Sequence, residues 1–577
     1  MPQLPPDAPQ PQAPPPAAPA ASAAQPQAAA PAAALPRYAL AALTLYFAAW
    51  ALLPAWLAGS YPLDVVEGIY WGREWQWGYY KHPPLSSWVL YGFYRLFGAV
   101  GPYLLSQLVV ALTLWLVYQL GRRILAPAQA ALGSVLTLGV FYYTLPSLEF
   151  NHNIAQMPVW AGLALAFYLA LSGQRLRHWL LLGLLAGLGL LVKYPVAIWL
   201  AAAAAFVLAN PARRCLRQPG PWLTLALAAL VFAPNLLWLA QHDWISITYA
   251  RGRAAQAGGN PRWSALGFVA TQLLCHLPLL ALALAARMRP AWPWRAAADG
   301  AGLNMGPGAD RGAATGLGTD TGAAGGGAAR RQGLVFLWFM ALAPAVLLVL
   351  ASLVLGLGLR DMWGVPMWSL SGLLLASLLP QGAFERLRPR LLKGLLVWLA
   401  LATVLMAAYV GWGGRLRGKP ARTDWPQAAL AAQAQAQWRQ LSRCPLDNIS
   451  GDDWLAGLAA VAMPGQPSVM LGSNAAYSPW MSVQRLRQHG SLMLWAEGQT
   501  PSAPLLAQID AAPQGMHTRQ GQWQLPWHKL PAREPLVVHW RAYVPPACLA
   551  AGSSAAGGVG TEAASGMPSQ AAPVAQP

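Results

Sequence analysis

Charge is what this sequence has least of. Only 10% of its 577 residues are charged, against about 25% in a soluble globular protein, and just 19 of them are acidic. So little charge cannot cover a water-exposed surface of this size. With 56% apolar residues and repeated apolar runs of about 20 residues, the chain reads as a polytopic helical membrane protein. The formal charge of +19 does not point to nucleic acid, which calls for Lys and Arg clustered with polar and aromatic residues on one soluble face. Here the arginines sit in short tracts between apolar runs. Cysteine is scarce too: four residues, none in a C-x-x-C pair, which excludes zinc-ribbon and dithiol redox motifs. Residues 1–35 lack the basic start, apolar middle and cleavage site of a signal peptide. With 550–577 and the Gly/Ala-rich stretch 296–329, they read as disordered tails and a disordered cytoplasmic loop.

What is present is a set of about eleven apolar segments of membrane length. They fall near 37–58, 101–121, 129–148, 154–172, 179–193, 195–210, 221–240, 263–286, 333–357, 362–380 and 391–411. The stretch 84–98 is shorter and amphipathic, and is expected at the interface or as a partial helix. Orientation follows from the basic tracts. With the N-terminus in the cytoplasm, every inner connection holds a cluster, among them Arg122/Arg123, Arg213/Arg214/Arg217 and Arg386/Arg388/Arg390/Lys393, as the positive-inside rule asks. Residues 60–100 and everything after 411 then lie outside, in the periplasm of a bacterial inner membrane. Residues 412–549 look like a small α/β domain: helical stretches at 427–443, 452–462 and 481–489 alternate with the apolar runs "PSVML", "SLMLW" and "LVVHW". No nucleophile elbow, phosphate-binding loop or dinucleotide fingerprint occurs there. In an oxidising compartment Cys444 and Cys548 are expected to pair, closing a loop of about 100 residues.

The scarce polar residues are not scattered evenly. "LDVVEGIYWGREWQWGYYKHPPLS" (63–86) sets Asp64 and Glu67 three apart, on one face of a helical turn, ahead of Lys81 and His82. Paired carboxylates at a membrane boundary can serve as general base or metal ligand; the plainer reading is two solvated acids beyond a helix end. Trp71, Trp75, Trp77, Tyr79 and Tyr80 suit an interfacial aromatic belt. A second polar knot, "EFNHN", holds Glu149, Asn151 and His152, whose plainer reading is a helix cap. Lys193, next to Tyr194, and Arg360 are cations on the outer side, against the positive-inside bias. Snorkelling explains them plainly; binding a phosphate explains them functionally. Acids, amides and cations thus converge on one face of the membrane, as transfer from a lipid-linked phosphate donor requires: a base for the acceptor and cations for the leaving phosphate.

"LDVVEGIYWGREWQWGYYKHPPLSSW", "EFNHN", "GLGLLVKYPVAIWL", "APNLLW" and "RDMWGVP" together resemble the dolichyl-phosphate-mannose-protein mannosyltransferase-like group, glycosyltransferase family 39 and its bacterial relatives, which include lipid A aminoarabinose transferases. The resemblance covers roughly 37–411. It implies a GT-C fold, a polyprenyl-phosphate sugar donor, and an acidic residue in the first outer loop as the base, here Asp64 or Glu67. Lys193 and Arg360 would hold the phosphate. Glu149, Asn151 and His152 would orient the acceptor or a divalent cation, and Lys81, His82 and Tyr194 are further candidate substrate-binding residues. In many relatives the two acids are adjacent, whereas Val65 and Val66 separate them here, and Lys81 stands where many relatives carry an acid. The acceptor stays open among a lipid, a glycan and a protein. The alternative, a flippase of lipid-linked sugars, calls for internal repeats and charges near the bilayer midplane; the charges here sit at the outer boundary.

Overall fold

The computed structural model describes residues 35–256, 260–292, 323–379, 381–474, 476–499 and 515–550. The tails expected before residue 35 and after residue 550 lie outside the described residues, as do residues 296–322 of the expected loop. Residues 323–329 are not loop: they begin the helix Ala323–Leu355. The backbone ladder of the apolar span runs on through them despite three consecutive glycines, Gly325 to Gly327, which disfavour a helix.

Among the described residues, six helices are long and apolar enough to cross a membrane, or nine if each of three bent pairs counts as one span. Helices α1 (Arg37–Leu57), Pro219–Gln241 and Phe384–Arg417 match the expected segments closely. Their outward faces carry Leu45, Leu230 and Val404, each more than 60% exposed. Such apolar exposure suits lipid, not water. The expected span 129–148 is instead a bent pair, 127–139 and 141–148, turned by 89°. Val140 between them is extended, so the hydrogen-bond ladder stops there. Residues 362–380 form no straight span either. They fold as a 3-10 helix, Asp361–Trp368, and a seven-residue helix, Ser371–Ser377, with the break at Ser369 and Leu370. Gly372 lies so close to the Gly133 carbonyl that an added Cβ would sit 2.0 Å from its oxygen, so this piece is packed in protein instead of facing lipid. The stretch 84–98 is a helix (Leu85–Phe97) that leads through one 3-10 turn into the span Gly101–Gly121.

The C-terminal region folds as a five-stranded mixed sheet with the order β2-β1-β3-β5-β4, from β1 (Asn448–Gly451), β2 (Ser468–Val469), β3 (Ser491–Ala496), β4 (His517–Leu525) and β5 (Leu536–Val544). The three apolar runs are strands β2, β3 and β5. Strands β1 and β2 pair in parallel, as do β1 and β3, while β5 runs antiparallel to both β3 and β4. The helices Gln427–Leu441, Asp453–Ala462 and Val483–His489 follow the expected positions within two residues. Cys444 and Cys548 are disulfide-bonded across 104 residues, with their Cα atoms 5.3 Å apart.

This region is docked onto the membrane part at the end that carries the first loop. Tyr94 donates to the Val461 carbonyl at 2.8 Å and Arg73 to the Ser468 hydroxyl at 2.9 Å. Lys529 donates to the Leu57 carbonyl. Gly457 lets the helix Asp453–Ala462 approach Tyr70 and Val66; a Cβ there would stand 2.8 Å from the tyrosine ring. The loop of Asp64 and the C-terminal sheet therefore share one side of the membrane.

Candidate active site

Helix α2 (Leu63–Glu74) starts after Pro62, and Asp64 lies in its first turn. The first N–H groups of a helix have no partner within it. That of Asp64 finds one in Glu149, whose Oε1 accepts it at 2.9 Å. A carboxylate at a helix N-terminus also meets the positive end of the helix dipole. Glu67 lies one turn on and accepts from Lys81 Nζ at 2.5 Å. The two acids that the sequence sets three apart thus take different partners.

Asn151 caps the helix His152–Gly173, its side chain accepting from the backbone of Asn153 at 2.9 Å and Ile154 at 3.1 Å. The plainer reading of that knot is correct for this residue. His152 is buried, with its ring 4.1 Å from that of His82. Lys193 is buried as well and donates to Asn153 Oδ1 at 2.5 Å.

The electrostatics tie these pieces together. Burial raises Asp64 above the usual carboxylate range, while Lys81, Lys193 and Arg422 pull it back. Burial, with the charge of Asp64, pushes Glu149 up to about 8 against its hydrogen bond from the Asp64 N–H and the pull of Arg422. Burial opposes the charge on Lys81, but Glu67 outweighs it and raises Lys81 above its ordinary value. Burial, His152 and the two lysines hold His82 well below the usual imidazole range, so it is neutral at pH 7.

Glu149 carries a consequence for stability. Its folded value of about 8 lies above the ordinary 4.5, so the native protein keeps a proton that the unfolded chain has released. Stability from this group is complete below pH 4.5 and is lost as pH rises through about 8. Glu149→Gln should flatten that slope. Thermal melts of wild type and variant on both sides of the window check it, and parallel pH profiles would count against the buried carboxyl.

Two expected site residues stand elsewhere. Tyr194 donates to Asn235 at 3.3 Å, and Asn235 holds the Trp77 carbonyl at 2.6 Å. Tyr194 therefore braces the outer loop. Arg360 lines a cavity of about 560 Å³ with Asn260, Trp263, Ser264, Phe268 and Asp361, and none of the acids above lines it. Its Nε is buried without a hydrogen-bond partner.

Two residues of the site escape the sequence reading. Arg422 acts on Asp64, Glu67 and Glu149 together, and its guanidinium lies 5.6 Å from the Trp454 ring. It follows the last span, in a region whose composition looks soluble, so nothing in the sequence singles it out. Asp453, pushed up to about 6 by burial against its bond from the Gly472 N–H, is within electrostatic range of Glu67 and Lys81. "GDDW" in so acid-poor a chain was its signal. Among the described residues, no three His, Cys, Asp or Glu side chains are placed to hold a metal ion.

Residues 81–238 match the family model for dolichyl-phosphate-mannose-protein mannosyltransferase. This segment of the chain is similar to that family. It holds Lys81, His82, Glu149, Asn151, His152 and Lys193, most of the residues gathered around Asp64. Two curated relatives come from Rhizobium johnstonii. The lipid A galacturonosyltransferase RgtD is 27% identical over 218 residues, 36% of this chain and 43% of the relative. The lipopolysaccharide core galacturonosyltransferase RgtA is 28% identical over 205 residues, 34% of this chain and 40% of the relative. The chain thus spans less than half the length of the curated relatives it matches. A solved structure of ArnT from Cupriavidus metallidurans, bound to undecaprenyl phosphate, superposes with a TM-score of 0.54 at 14% identity, over 87% of this chain and 98% of that one. The fold is therefore of the GT-C type, carried by a multi-pass membrane protein.

Proposed function

We propose that this protein is a glycosyltransferase that moves a sugar from a polyprenyl-phosphate carrier to an envelope acceptor at the outer face of the inner membrane. The observation that carries this reading is the cluster in which Asp64, Glu67 and Glu149 are gathered with Lys81 and the buried Lys193, with the exposed Arg422 within electrostatic range. A sugar hydroxyl is a weak nucleophile at neutral pH and needs a base. Asp64 is that base; its raised value brings it nearer the operating pH, where general bases work best. Lys193 and Arg422 stabilise the phosphate as the glycosidic bond breaks and charge builds on the leaving group. Arg360, in its own cavity with an unpaired Nε, is assigned to the carrier's path. The names of the two curated relatives favour a uronic acid as the transferred sugar and lipid A or its core as the acceptor. A divalent cation, where used, arrives with the carrier phosphate. The orientation follows the basic tracts: N-terminus in the cytoplasm, C-terminal region in the periplasm.

The test is transfer by purified protein in lipid nanodiscs, supplied with polyprenyl phosphate bearing radiolabelled galacturonic acid and with lipid A. Label on lipid A together with free polyprenyl phosphate is the expected result. Intact carrier moved across the bilayer without release of polyprenyl phosphate would establish a flippase instead.

A further inference from the structure

Beside Lys81, at the edge of the carboxylate cluster, stands an aromatic group that none of the chemistry above uses. Three tyrosines from separate parts of the chain meet there: Tyr80 from the first outer loop, Tyr249 from the helix Ile245–Gln256, and Tyr477 from the C-terminal region. Tyr80 and Tyr477 stack with centroids 4.5 Å apart and planes at 15°. Tyr249 meets Tyr80 edge-on at 5.5 Å. The Lys81 ammonium lies 5.2 Å from the centre of the Tyr80 ring and 5.9 Å from that of Tyr249. Tyr80 and Tyr249 are less exposed than Tyr477, a residue that is 36% exposed.

Tyr477 is also held deliberately. The Asp453 carboxylate accepts from the Gly472 N–H at 2.5 Å, which fixes the turn leading to it. Gly472 has φ +51 and no side chain; a Cβ there would come within 3.3 Å of the Tyr477 ring. A surface tyrosine seated this way, beside a carboxylate and a lysine with three donors, offers an apolar face and charged hydrogen-bonding groups side by side. A pyranose presents the matching pair, an apolar C–H face and a rim of hydroxyls. Pockets for such ligands combine aromatic walls with a few placed polar groups.

We infer that Tyr477 and Asp453, carried by the C-terminal region, form with Tyr80 and Lys81 a subsite for a pyranose ring at the edge of the carboxylate cluster. This rests on the glycosyltransferase reading only for which sugar occupies it, that of the donor or that of the acceptor. The ring lies against Tyr477 while its hydroxyls bond Asp453 and Lys81. The C-terminal region is then part of substrate selection.

Saturation-transfer NMR on the full-length protein in nanodiscs, with methyl galactoside and methyl galacturonide as probes, tests the subsite without turnover. Wild type should transfer saturation to the ring protons of at least one probe. Tyr477→Ala should abolish it and Tyr477→Phe should keep it. Asp453→Asn should weaken it, and thermal melts confirm that each variant is folded. Equal saturation in wild type and Tyr477→Ala, or none from wild type with either sugar, overturns the proposal. In the transfer assay, Tyr477→Ala should raise KM by about three- to tenfold for one substrate, with kcat little changed. A raised donor KM assigns the subsite to the donor sugar, and a raised acceptor KM to the acceptor. A loss confined to kcat overturns it. Saturation transfer in a protein that moves no sugar would leave the subsite standing and remove the transferase reading.

Discussion

Asp64→Asn should lower turnover by about 10²–10⁴-fold, the usual contribution of a positioned general base, while binding of polyprenyl phosphate stays near wild type. The substitution keeps size and polarity, so the N–H bond from Asp64 to Glu149 and the start of α2 survive. What goes is the one acid of the cluster whose charge is favoured by all three cations, Lys81, Lys193 and Arg422. Glu67→Gln should be milder on the chemical step, since Glu67 is already committed to Lys81 at 2.5 Å. Single-turnover transfer alongside a carrier-binding measurement separates the two. An active Asp64→Asn with an inactive Glu67→Gln would exchange their roles. Full activity in both would return this loop to a solvated surface.

Breaking the Cys444–Cys548 bond is the largest expected change in stability. A loop of 104 residues restrains the unfolded chain by about 4 kcal/mol on the loop-entropy account. The bond also closes a seam: Arg443 N–H donates to the Cys548 carbonyl at 2.8 Å and Ala550 N–H to the Leu441 carbonyl at 3.2 Å. Cys444→Ser should therefore loosen the C-terminal sheet while the spans stay folded. Limited proteolysis should cut the variant between residues 442 and 550 at low protease, with wild type following it on reduction. Wild-type resistance in the variant would show that packing alone holds the seam.

The parts of the site legible in the sequence are those where a polar residue breaks an apolar pattern. Asp64, Glu67, Lys81, Glu149 and Lys193 stand out because the chain has so few charges beside its spans, and all five meet in space. Arg360 stood out for the same reason and lies in another cavity, because hydropathy gives depth in the membrane and says nothing of position around the bundle. Asp453 and Arg422 were missed because they belong to a region that looks soluble, where a charge needs no explanation. In the sheet, β2, β3 and β5 were legible as apolar runs. Strand β4 was not: it is an edge strand with mostly exposed residues, "HTRQGQWQL", and its order comes from pairing with β5. Strand β1 is four residues long, too short for a pattern. The bend at Val140 left no trace in composition, because a re-entrant and a straight segment need the same apolar surface.

The way Arg422 reaches back to Asp64 also sets an order of assembly. Roughly 360 residues separate them in the chain. At about 5–20 residues per second, synthesis takes about 20–70 s to cover that interval. During this time the acids of the first loop lack both the arginine and the C-terminal region that later docks beside them. A ribosome stalled anywhere before the last span leaves a half-built molecule with an acidic loop and no working centre. The cluster is thus complete only when late and early segments have found each other across the finished bundle.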